Sequence, residues 1–300
     1  MPLTGNSCVI RPHHMPLRET NPQRSLRDDS VGRIIADTES PRTRESLVGD
    51  LKALGVEHGD RLIVHTSMRS MGWINGGAVA YIQALMDAVG PDGTIVMPTQ
   101  SSDYSDPGGW RHPPIPATWV DEVRRTMPAY DAAVTPTWRM GAAPELFRTM
   151  PGVFRSDHPS GSFAAWGLDA SEIVANHGAQ RIGDESPVAR LYDLDGEVLL
   201  VGVGYDRNTS FHLAEYRIPS TVYVEELMPL VTDGVVEWTE VTEIKFMDDD
   251  SLISLGRAFE VGNDVKTGLV GSAECRLFGV RDCVDFGVGW LGLRDEDERE

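Results

Sequence analysis

The stretch Asp60-Arg-Leu-Ile-Val-His65, taken with Thr94-Ile-Val-Met97 downstream, decides the fold. Both are short apolar, β-branched runs of the kind found in strands buried on both faces. Between them lie a Gly-containing loop, Thr66 to Gly77, and an apolar segment that predicts a helix over 78–89. Gly90-Pro-Asp-Gly93 then predicts a turn into the second strand. Strand, helix and strand in this order form a β-α-β unit, so a parallel pair with a right-handed crossover is expected. Upstream, Leu47, Val48, Leu51 and Leu54 recur at helical spacing over 44–54, and Gly55 is a natural stop.

Further along, residues 100–117 are rich in Pro, Gly and Ser and read as a long surface loop. Short helices are predicted near 117–126 and 141–149, with an irregular segment from Arg155 to Ser162. Ser186 to Leu194 reads as a helix with Pro187 in its first turn. Glu197-Val-Leu-Leu-Val-Gly-Val203 is the clearest buried strand. After residue 219 the pattern becomes a hairpin: Thr221 to Val231, an Asp233-Gly234 turn, and Val235 to Phe246. Helices over 251–261 and 281–292 close the chain. The expected class is α/β, a three-layer α/β/α sandwich around a central mixed sheet. Residues 1–42 lack periodicity and read as a mobile N-terminal extension. A single domain is expected over 43–293, with an acidic tail at 294–300.

Charge narrows the function. The chain has 300 residues, 27 Lys and Arg against 46 Asp and Glu, and a net charge of −19. Such a balance argues against nucleic acid and anionic membranes as partners, since both select basic surfaces. Residues 213–300 alone carry −12. That excess serves either as a solubilising surface or as an attractor for a polycation. No apolar run is long enough to span a bilayer. Cys8, Cys275 and Cys283 are scattered and the HExxH pattern is absent, so no disulfide framework, thiolate zinc site or zincin is expected. No secretory h-region is seen at the start, and a reducing cytoplasm is the expected compartment.

The strongest local constellation is Gly202-Val-Gly204-Tyr-Asp-Arg-Asn-Thr209-Ser-Phe-His212-Leu-Ala-Glu215. Asn208 or Thr209 can cap a helix on which Thr209, His212 and Glu215 share a face. Hydroxyl, imidazole and carboxylate then stand at the carboxyl end of a central strand, where ligands of α/β sheets bind. His212 with a carboxylate partner is a credible general base. A surface His–Glu pair contributing a few tenths of a kcal/mol would give the same spacing. The loop His65-Thr-Ser67-Met-Arg69-Ser70-Met-Gly72 offers hydroxyls, a guanidinium and backbone N–H groups, either a phosphate site or a well-capped turn. Arg155-Ser-Asp-His158-Pro-Ser160-Gly-Ser162 is likewise either loop structure or ligand wall. His177 reads as structural.

Taken in order, these blocks resemble the aminoglycoside 3-N-acetyltransferases. The likeness is carried by Leu62-Ile-Val-His-Thr-Ser-Met-Arg-Ser-Met-Gly72, Met97-Pro-Thr99, Met127-Pro-Ala-Tyr-Asp131, Arg155-Ser-Asp-His-Pro159 with Ser162-Phe-Ala-Ala165, Ser186-Pro-Val-Ala-Arg190 and Asn208-Thr-Ser-Phe-His-Leu-Ala-Glu215. The resemblance implies acetyl transfer from acetyl-CoA to an amine, in this family the 3-amino group of a 2-deoxystreptamine antibiotic. By position it implies His212 as catalytic base, Glu215 as its acid partner and Thr209 as a hydroxyl at the developing oxyanion. It assigns CoA contacts to His65, Thr66, Ser67, Met68, Arg69, Ser70 and Gly72, and to His158, Ser162 and Phe163. For a cationic acceptor, Glu215 with Asp103, Asp106, Asp248, Asp249 and Asp250 are the candidate carboxylates. No metal is implied, and a monomer or homodimer is expected. Two other functions fit the residues: an N-acetyltransferase for another small amine, and a non-catalytic polycation-binding protein.

Overall fold

The computed structural model describes residues 27–232 and 235–297. Three parallel strands form the centre of the main sheet. β1 (Arg61–Thr66) pairs in parallel with β2 (Thr94–Pro98) on one side and with β5 (Glu197–Val201) on the other. Antiparallel strands close both flanks. β4 (Phe163–Gly167) lies on β2 and carries the short β3 (Phe154–Arg155) at the edge. β9 (Ala273–Gly279) lies on β5 and carries β8 (Lys266–Val270). The sheet therefore has seven strands in the order β3-β4-β2-β1-β5-β9-β8.

Alternation along the strands builds the three layers. Leu62 and Val64 of β1, with Ile95, Leu199 and Leu277, pack against α2 (Arg44–Leu54), α3 (Gly77–Val89) and α5 (Ala142–Phe147); the short α4 (Val120–Thr126) lies between β2 and α5 in the chain. Ile63, with Val96, Val198 and Leu200, packs against α6 (Ala170–Val174), α7 (Pro187–Asp193), α8 (Ser210–Arg217), α9 (Asp249–Gly262) and α10 (Val280–Asp297). Each fully buried Leu, Ile or Phe contributes about 1.5–3 kcal/mol relative to exposure. The expected sandwich with a mixed sheet is what forms. α2 begins as its sequence predicts: the Thr43 hydroxyl accepts from Ser46 N at 3.1 Å and the Ser46 hydroxyl accepts from Thr43 N at 2.9 Å.

Regular structure starts before the Thr43 boundary. α1 (Arg27–Ala36) is helical, and its Thr38 follow-on accepts Trp73 N–H at 2.9 Å. Residues 1–26 of the expected extension, the Asp233-Gly234 turn and residues 298–300 of the expected tail lie outside the described residues. The rest of that tail, to Asp297, continues α10. The irregular segment from Arg155 to Ser162 overlaps β3 only at Arg155, and no sequence pattern announces β4, β8 or β9.

The hairpin, β6 (Tyr223–Thr232) and β7 (Val235–Ile244), forms a separate two-stranded sheet. An isolated hairpin is marginal in water. This one is held by buried Met228, Val241 and Ile244 and by a fully buried carboxylate, Glu243. Glu243 accepts Arg181 N–H at 3.0 Å, Ile244 N–H at 2.9 Å and the Tyr216 hydroxyl of α8. Glu243→Gln keeps the shape but turns an amide NH₂ toward these donors. It is expected to lower unfolding free energy by about 2–4 kcal/mol in urea titrations. An unchanged midpoint would contradict this account.

A second carboxylate sets a pH dependence. Glu197, at the start of β5, is pushed up to about 7 by burial and then by the Asp60 charge, against Lys266 at 4.0 Å. A raised folded value means the native state holds this proton longer than the unfolded chain. Stability from it is present below about pH 4.5 and is lost as pH rises to about 7. Glu197→Gln should therefore be more stable than wild type at pH 8, by on the order of 1 kcal/mol, and indistinguishable at pH 4. Thermal melts across that range check the sign.

Candidate active site

The chain leaves β1 toward β2 and later returns to β1's other side as β5. This is a topological switch point, which leaves a crevice at the strands' carboxyl ends. A cleft of about 970 Å³ opens there. Its floor is the end of β1. His65 faces the α8 side, and Thr66 faces the α3 side, its hydroxyl 2.5 Å from the Tyr81 hydroxyl.

The turn between β5 and α8 delivers the next residues. Gly202 has φ +62, and a Cβ there would meet the Ser70 side chain at 2.4 Å. Only glycine suits both demands. The Asn208 side chain then accepts Ser210 N–H at 3.1 Å and starts α8. Thr209 occupies the N-cap position without capping through its side chain. Thr209 and His212 both line the cleft.

His212 Nδ1 lies 2.6 Å from Glu215 Oε1, one helical turn on. The other Glu215 oxygen accepts Met247 N–H at 2.7 Å. Glu215 is 5 % exposed, and the Phe246 ring meets the His212 ring edge-on at 4.8 Å. A carboxylate can only accept, so Nδ1 carries the hydrogen and Nε2 holds the free lone pair. His65 Nε2 lies 3.4 Å from Thr209 Oγ1. Burial, followed by the charge of His212, pushes His65 down to about 3, so it is neutral at physiological pH.

The expected contact residues divide. His65, Thr66, Ser67, Met68 and Arg69 line the cleft. Ser70 and Gly72 do not. The Ser70 hydroxyl donates to Gly202 O at 3.1 Å, and Gly72 turns the chain at φ +84 against Thr38. His158, Ser162 and Phe163 are not in the cleft wall either. His158 accepts Gly161 N–H at 2.8 Å and bonds Ala179 O at 3.0 Å, with burial pushing it down to about 3. The Ser162 hydroxyl donates to Thr99 O at 2.9 Å, and Phe163 is fully buried in β4. Ser160 and Arg181 supply that wall instead. His177 is structural as expected, bonding Ser156 and Arg181 O.

Among the candidate acids only Asp249 lines the cleft. Asp103 faces a separate hollow beside Tyr104 and Trp110. Asp106 caps a 3₁₀ turn and pairs with Arg124 at 2.7 Å. Asp248 caps α9 through Ser251 N at 2.8 Å, and Asp250 lies in that helix's exposed first turn. The structure adds Asp206, which shares Arg207 with Asp249 at 2.9 and 3.4 Å. It also adds Phe246, Gln100 and Arg139. Arg139 has φ +57, a strained setting for a side chain of its size. Asp206 stood inside the strongest motif; Phe246 and Arg139 carry no signal at short range. Among the described residues no cluster of His, Cys, Asp and Glu could hold a metal, and no helix is long and apolar enough to cross a membrane.

Known proteins resemble this chain in both sequence and fold. The family model for aminoglycoside 3-N-acetyltransferase matches residues 63–292. A prophage-derived aminoglycoside N(3')-acetyltransferase-like protein of Bacillus subtilis, YokD, is 46 % identical over 261 residues, covering 86 % of this chain and 96 % of that protein. Its crystal structure superposes with a TM-score of 0.86 at 45 % identity, over 88 % of this chain and 98 % of that one. Aminoglycoside N(3)-acetyltransferase VII of Streptomyces paromomycinus is 35 % identical, covering 86 % of this chain and 94 % of its own. A sisomicin-bound acetyltransferase, AAC-VIa, superposes with a TM-score of 0.76 at 32 % identity, over 85 % of this chain and 99 % of that one. With the family model matching most of its length and relatives 35–46 % identical over 86 % of it, the chain belongs to the aminoglycoside 3-N-acetyltransferase family.

Proposed function

We propose that this protein transfers the acetyl group of acetyl-CoA to the 3-amino group of a 2-deoxystreptamine aminoglycoside, and so confers resistance to it. The observation that carries the reading is the His212–Glu215 pair, with His212 in the wall of the cleft of about 970 Å³. One homologous structure is a binary complex with CoASH, which supports the same donor here.

An amine attacks a thioester only when neutral. Nε2 of His212 takes the amine proton as the new N–C bond forms, and Glu215 stabilises the imidazolium. The carbonyl oxygen becomes an oxyanion, for which the Thr209 hydroxyl is the nearby side-chain donor. Collapse breaks the C–S bond, and the thiolate leaving group recovers the proton from His212. General-base help of this kind is worth roughly 10²–10⁴-fold. Arg69 and Arg139 suit the phosphates of the donor. Asp206 and Asp249 on the α9 wall suit the ring amines of the acceptor.

The direct test follows CoA thiol release from acetyl-CoA against a panel of 2-deoxystreptamine aminoglycosides. Turnover with several is expected. Turnover confined to unrelated amines would favour a different acceptor, and tight drug binding without thiol release would favour sequestration. His212→Ala is expected to lower kcat at least about a hundredfold with little change in KM for acetyl-CoA. Near wild-type turnover would move the base elsewhere. Raising ionic strength should raise KM for the cationic acceptor, because its attraction to Asp206 and Asp249 is screened within about 10 Å at 0.1 M salt. A salt-independent KM would leave the acidity as solubility alone.

A further inference from the structure

Thr209 has one hydroxyl proton and two places to send it. At an N-cap a threonine oxygen ordinarily accepts a hydrogen bond from the first turn. Asn208 does that here, accepting Ser210 N–H at 3.1 Å, so the Thr209 side chain is spare. Its backbone is nevertheless fixed, with Thr209 O accepting His212 N–H at 3.2 Å. The hydroxyl instead meets His65 Nε2 at 3.4 Å, from the strand beneath. Both residues line the cleft. The 3.4 Å separation is long, as hydrogen bonds in substrate-free sites often are before substrate draws them tight.

The tautomer of His65 then decides what Thr209 can do. A bare Nε2 would draw the hydroxyl proton down toward the sheet, away from a thioester. A protonated Nε2 donates to a lone pair of Oγ1 and leaves the hydroxyl hydrogen to swing into the cleft. We propose that His65 is a positioning residue for acyl transfer, whose Nε2–H donates to Thr209 Oγ1 and holds the Thr209 proton toward the carbonyl oxygen of the donor. The inference rests on the acetyl transfer proposed above. It moves His65 from donor contact to a partner of Thr209. Its neutrality suits the task, because a second cation beside His212 would oppose the imidazolium that forms there; burial pushes His65 down to about 3.

The test uses side chains that present an amide nitrogen at different reach. Gln places its nitrogen near the position of Nε2, and Asn near that of Nδ1. His65→Gln should therefore retain kcat within about threefold, while His65→Asn and His65→Ala lose about tenfold or more, with KM for acetyl-CoA little changed in all of them. Adding Thr209→Ala to His65→Ala should cost nothing further. Asn as active as Gln, or fully additive losses, would overturn the proposal. Unfolding midpoints of the Gln and Asn variants control for damage to β1. A second readout does not depend on turnover: ¹⁵N-detected histidine spectra of the wild type, with His65 assigned by its disappearance in His65→Gln. They should show Nε2 protonated. A bare Nε2 would overturn the proposal whatever the kinetics. If the wild type acetylates nothing, the functional reading falls and this inference falls with it; if it acetylates while Nε2 is bare, this inference alone falls.

Discussion

Glu215 is the group on which the site depends. It is almost fully buried, and its two oxygens serve two different parts of the chain: Oε1 takes His212 Nδ1, and Oε2 takes the backbone N–H of Met247. An isolated buried carboxylate costs several kcal/mol, so neither partner can leave cheaply. α8 and the segment leaving the hairpin are thereby clamped around one charge. Phe246, next to Met247, is brought against the imidazole as a consequence. The orientation of His212 is thus a product of tertiary structure, and the same pair on an isolated helix would be worth only a few tenths of a kcal/mol.

Beneath that clamp, the sheet decides where chemistry can occur. β1 is flanked by the strand that follows it and by a strand from much later in the chain, so helices diverge to opposite faces at its end. Pleating sends neighbouring residues of β1 in opposite directions. Thr66 is used to bind α3 through Tyr81, while His65 is left beneath Thr209. One residue of register shift would exchange these roles and bury the wrong side chain under α8.

Much of this was legible because it is local. The run from Arg61 to Thr66, the Gly202–Glu215 motif and the helix over 44–54 declare themselves through periodicity, glycine turns and caps. β4 escaped because Phe163-Ala-Ala-Trp-Gly167 lacks β-branched residues, and β8 because Gly268 interrupts it. Their pairing with β2 and β9 supplies the stability their propensity lacks. The site failed to be legible in the same way. His158 and Ser162 look like ligand-wall residues in sequence, yet folding spends their polar atoms on Ala179, Gly161 and Thr99. Glu243 looks like one more acid on an exposed strand, yet it is fully buried among three donors. Which polar atom is spare is a question of contacts, and contacts are long-range.

Charge shows the same separation of scale. Part of the C-terminal excess that suggested a polycation site is committed elsewhere: Asp248 to a cap, Glu243 to the hairpin anchor, Glu215 to the histidine. Even the two acids in the cleft wall share one guanidinium, that of Arg207. The polyamine acceptor proposed above would meet carboxylates already held in place there. It can exchange its hydration for an ordered pair without first freezing loose side chains. Such pre-organisation lowers the entropic cost of binding more than an equal number of unrestrained acids would. The useful quantity is then the placement of a few charges beside His212, and the net charge of the chain is only the background against which they act.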